Sequence, residues 1–112
     1  ILVEGTTGTQ IVGNGIGLNV VGTSATDNNG ASTGNRGHGV SLFRAQTATI
    51  RGNWISRNSR DGIFGAGVTT LTITDNLIGT APDNDETGPD ARIPNGGAAI
   101  RVSAGTTGTA VN

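Results

Sequence analysis

Apolar residues in this chain do not recur every three or four positions. They alternate with polar ones in short runs, such as Thr47-Ala-Thr-Ile-Arg51 and Thr70-Leu-Thr-Ile-Thr74, and each run ends near Gly, Asn or Asp. A period of two buries one face of a strand and leaves the other in water. Runs of this length bounded by turn residues predict short β-strands. No stretch carries a helical period, and the abundant Gly, at about 1 kcal/mol per helical position relative to Ala, argues against helix.

The runs repeat. Val40-Ser-Leu42, Ala48-Thr-Ile50 and Asn53-Trp-Ile55 overlay Ile63-Phe-Gly65, Leu71-Thr-Ile73 and Asn76-Leu-Ile78 at an offset of 23 without a gap. They overlay Ile1-Leu-Val3, Thr9-Gln-Ile11 and Asn14-Gly-Ile16 at an offset of 39, and Ile100-Arg-Val102 opens a further copy 37 residues on from Ile63. Each complete copy holds an apolar residue, then Ile ten positions later, Asn at thirteen and Ile at fifteen. A hairpin sandwich has no reason to keep such a register. A parallel β-helix does, because each residue sits on its equivalent one coil away, about 4.8 Å along the axis. The expected hand is right, by the rule for parallel crossovers. The chain reads as one segment, with coils 1–39, 40–62, 63–99 and a partial 100–112. The extra length of the long coils falls at 18–36 and 80–95.

Asn76-Leu-Ile-Gly-Thr80, Asn14-Gly-Ile-Gly-Leu18, and the Gly39-Val40 and Gly62-Ile63 steps resemble the parallel β-helix repeats of bacterial secreted and surface proteins. The resemblance spans essentially the whole chain. It implies a fold rather than one activity, since such repeats serve adhesins, polysaccharide-active enzymes and structural arrays.

Composition narrows the field. Charged residues make up 13%, the net charge is −1, and all seven basic residues are Arg, so a phosphate-binding surface is not expected and nucleic acid is not a partner. Cys is absent, which removes disulfides and thiolate metal sites. No apolar run approaches the ~18 residues of a membrane span.

Four groups of residues can carry chemistry or contact. Asn14, Asn53 and Asn76 form a row whose amides can bond one another at a turn. His38, the only His, stands one coil from Asp61, and the pair reads either as a general acid–base pair or as a surface ion pair at a turn. Asp83, Asp85, Glu86 and Asp90 in the 80–95 insertion offer oxygen ligands for calcium, without the spacing of a known calcium loop; otherwise no cofactor is expected. Trp54, flanked inward by Asn53 and Ile55, should point outward, and with Arg51 and Arg57 on the same coil it makes a platform for sugar rings or a protein contact. An outward row of Gln10, Thr49, Thr72 and Thr109 is interrupted too often to form a flat Thr array.

Gly5-Thr-Thr-Gly-Thr9 returns as Gly105-Thr-Thr-Gly-Thr109, so the chain is expected to be an excerpt of a longer array or a unit that stacks end to end. The reading is a non-enzymatic structural or adhesive module, extracellular or on a cell surface. Its partners would be neighbouring coils, further copies, or a polysaccharide. The alternatives are a fragment of a polysaccharide lyase or glycoside hydrolase, and a phage or viral fibre segment.

Overall fold

A computed structural model describes residues 1–18, 34–80 and 94–112. Eleven strands occur among them: β1 (Leu2–Glu4), β2 (Thr9–Val12), β3 (Gly15–Ile16), β4 (Val40–Phe43), β5 (Thr47–Arg51), β6 (Trp54–Ile55), β7 (Ile63–Ala66), β8 (Thr70–Thr74), β9 (Leu77–Ile78), β10 (Ile100–Val102) and β11 (Thr109–Val111). They build three sheets in the orders β1-β4-β7-β10, β2-β5-β8-β11 and β3-β6-β9. Every pairing is parallel. Three sheets wound in sequence are a parallel β-helix, as the repeat predicts.

The register follows the sequence offsets in the first two sheets: Val40 pairs with Ile63, Ile50 with both Ile11 and Ile73, and Ile63 with Ile100. The last strand departs from it. Thr109 pairs with Leu71, and Ala110, not Thr109, takes the place beside Thr72. One extra residue therefore lies between β10 and β11. The corners locate it: Gly5, Arg44, Gly67 and Gly105 all adopt positive φ. Gly105 stands 38 residues after Gly67, whereas Val102 stands 37 after Gly65. The insertion is thus absorbed at 103–104. Gly meets that left-handed corner at no steric cost, and Arg44 shows that the ladder is strong enough to hold a side chain there.

Inward residues form one apolar column in which Val40, Leu42, Ile50, Ile55, Ile63, Val68 and Leu71 have no exposed surface. The packing is compensated within the coil. Where one coil has Leu42 and Ala48, the next has Gly65 and Leu71 in the paired positions. A Cβ on Gly65 would lie 3.3 Å from Leu71 Cδ2, so Leu71 fills the room that Gly65 leaves. Large–small and small–large pairs thus keep the volume nearly constant from coil to coil.

Candidate functional site

Two amide ladders line the corners between sheets. In the first, Asn14 Nδ2 donates to Asn53 Oδ1 (3.1 Å) and Asn53 Nδ2 to Asn76 Oδ1 (2.9 Å). Each Oδ1 also accepts the backbone N–H of the preceding rung, at 2.9 and 3.0 Å. Asn53 is fully buried, and its Nδ2 donates a second time, to the Ile11 carbonyl. The second ladder runs through Asn35, Asn58 and Asn95, with Nδ2 to Oδ1 distances of 2.7 and 2.9 Å. Sequence reasoning missed it, although its offsets of 23 and 37 are those of the strands themselves. Among the described residues no buried side-chain nitrogen or oxygen lacks a partner.

His38 and Asp61 are brought together beside the second ladder. His38 Nδ1 lies 3.2 Å from Asp61 Oδ2 and 3.2 Å from the Asp61 backbone nitrogen. The surface ion pair expected there needs correction, because the Asp61 side chain is only 5% exposed and its main partner is Arg101. Arg101 Nε donates to Oδ2 at 2.9 Å and Nη2 to Oδ1 at 3.2 Å, while the Ala98 N–H donates to Oδ1 at 2.7 Å. The Arg101 hydrogen bonds, aided by Ala98, hold the Asp61 carboxyl below its ordinary pKa against the burial that pushes it up. Room for this carboxylate exists because the position above it is glycine: a Cβ on Gly97 would collide with Asp61 Oδ1. Arg101 carried no signal in the sequence beyond its place in the repeat.

On the outer face of the first sheet, the paired positions Ser41, Phe64 and Arg101 stand in one row. The His38 ring stacks on Phe64 with centroids 4.8 Å apart and planes at 17°, and Phe43 leans on Phe64 at 5.5 Å. These rings, with Arg60, Asp61 and Arg101, line an open groove of about 550 Å³. A smaller depression shares His38 and Arg60 with it and adds Arg36 and Ser41. The groove thus joins flat apolar faces to Arg side chains.

Trp54 lies on β6, between Gly15 and Leu77 on adjacent strands, and is 39% exposed. Arg51 and Arg57 are exposed, and Arg57 sits at a positive-φ corner. Neither they nor Trp54 line the groove, so the Trp54 face and the groove are separate. Asp83, Asp85, Glu86 and Asp90, with most of both insertions, fall outside the described residues. Among the described residues no three His, Asp or Glu side chains converge on a point where a metal ion could bind.

No curated protein and no solved structure matches the chain. The family model for the right-handed β-helix region matches residues 4–112. That match, with three all-parallel sheets stacked in register, shows that the chain belongs to the right-handed β-helix family.

Proposed function

We propose that this chain is a rigid, non-enzymatic β-helix module of an extracellular or surface protein, with a structural or adhesive role. The observation that supports it is the pair of Asn ladders. They commit the buried amides at two corners to coil-to-coil bonding, which stiffens the stack and leaves those amides no part in chemistry. Asp61, the carboxylate beside His38, is likewise engaged by Arg101 and Ala98.

Adhesion would use the groove over Phe43 and Phe64 or the Trp54 face, since sugar rings stack on flat apolar side chains and Arg binds their acidic substituents. A polysaccharide-active fragment is the second reading. The contact of His38 with Asp61 inside an open groove favours it, because a general base needs such a neighbour.

The purified chain, incubated with neutral and acidic polysaccharides, separates the two. Retarded migration in polysaccharide-containing gels without new reducing or unsaturated ends supports the adhesive module. Chain cleavage that persists in a highly purified sample and disappears in His38→Ala refutes it in favour of the enzyme.

A further inference from the structure

Arg60 stands alone in its stack. Its backbone N–H donates to the Gly37 carbonyl (3.0 Å), and its carbonyl accepts from the Gly97 N–H (2.9 Å), so glycine lies next to it on both adjacent coils. Neither neighbour has a side chain to lay over it, and Arg60 is exposed. Among the described residues its guanidinium has no hydrogen bond or ion pair. Arg101 is the opposite case. Asp61 takes its Nε–H and an Nη2–H and fixes the plane of the guanidinium. The other N–H donors remain on an exposed side chain in the same groove.

The groove and the smaller depression form one cleft. Leu2, Ser41, Phe64 and Arg101 are successive partners in the first sheet. The first two line the depression and the last two line the groove. This row runs along the helix axis for about 14 Å at the spacing of stacked strands. A cleft of that length suits an extended chain rather than a lone ion. Arg36, Arg60 and Arg101 line it, and its only acid is Asp61, which is buried and already paired. The cleft is therefore cationic in a chain whose net charge is −1. Phe43 and Phe64, half-buried, add apolar rings beside those cations.

We infer that this cleft takes a linear acidic polysaccharide laid along the helix axis. Arg60 anchors one acidic substituent, a carboxylate or a sulfate ester, and Arg101 is a second donor already held in place. The inference rests on the adhesive reading above and selects the groove over the Trp54 face. An acidic peptide fits less well. Extended peptides bind by adding main-chain hydrogen bonds at a strand edge, whereas β4 and β7 on the cleft floor are paired on both sides. Sugar rings need apolar surface to lie on and cations for their substituents, and the cleft offers both.

Calorimetric titration of the intact chain with alginate, dextran sulfate, neutral dextran and poly-glutamate tests this. Alginate carries only carboxylates and dextran sulfate only sulfate esters, so binding of one or both supports the inference and names the substituent. Arg60→Ala should weaken that binding at least about tenfold, as loss of a charge-assisted contact does, with the urea midpoint unchanged. Arg60→Lys should recover part of it. Arg44→Gly removes an exposed cation outside the cleft and should leave binding unchanged, which separates a placed anchor from net charge. Neutral dextran or poly-glutamate binding as tightly as the acidic polysaccharides overturns the inference, as does binding of neither alginate nor dextran sulfate. Equal losses in Arg60→Ala and Arg44→Gly overturn it too. Binding lost in Trp54→Thr but kept in Arg60→Ala overturns the cleft and leaves the adhesive reading standing on the other face. Alginate that is bound through Arg60 and then cut refutes the adhesive reading and leaves the anchor standing.

Discussion

Replacing Asn53 by Ala tests whether the first ladder holds the coils together. Asn53 makes four side-chain hydrogen bonds: two donated, to Ile11 O and Asn76 Oδ1, and two accepted, from the Asn14 backbone and side chain. After truncation the Ile11 carbonyl loses this donor in a buried setting, which costs about 1–3 kcal/mol. The lost rungs to Asn14 and Asn76 and the vacated volume bring the total to about 3–4 kcal/mol, at about 1 kcal/mol net per rung. That is a large share of the roughly 5–15 kcal/mol that holds a domain folded. Asn14→Ala is the internal comparison. Asn14 is exposed and loses only its bonds to Val12 O and Asn53 Oδ1, while its backbone N–H keeps Asn53, so about 0.5 kcal/mol is expected. Urea unfolding followed by the single Trp, Trp54, one residue from the ladder, reads both variants. With a slope of about 2 kcal/mol per molar urea, Asn53→Ala should lower the midpoint by roughly 1.5–2 M and Asn14→Ala by roughly 0.25 M. Equal shifts at unchanged slope would refute the assignment of stability to the buried rung.

Three further outcomes follow from the same geometry. Gly62→Ala places a Cβ 2.6 Å from Ala99 O and 2.7 Å from Ile78 Cγ2, so it should cost about 1–3 kcal/mol in the same assay, through overpacking between stacked coils. Asp61 has a depressed folded pKa, so its contribution to stability is fully present above the ordinary carboxylate range and is lost as pH falls through the folded value. Urea midpoints measured down a pH series should therefore fall in acid, and Asp61→Asn should flatten that part of the curve. Trp54→Thr should change stability by no more than about 0.5 kcal/mol in urea unfolding followed by circular dichroism, since the ring is partly exposed on the outer face, and acrylamide should quench the native fluorescence of the unsubstituted chain readily.

The order of inward and outward positions was legible in the chain because a parallel stack forces equivalent residues to repeat at coil spacing. Ile11, Ile50 and Ile73, and the Asn14, Asn53 and Asn76 row, are one face of that constraint. The Asn35, Asn58 and Asn95 row obeys it too, but it is embedded next to long insertions where spacing alone is hard to follow. Three features came only from the folded chain. The extra residue at 103–104 shifts β11, because Gly105 rather than its neighbour takes the left-handed corner. Asp61 meets Arg101 across 40 residues of sequence, and nothing local to either side chain specifies that contact. The burial of Asp61 depends on the space left by Gly97, a glycine that in sequence looks like any other turn residue. Repetition encodes what every coil shares. Contacts made once, by side chains that differ from coil to coil, exist only when the coils are stacked, and those contacts shape the groove.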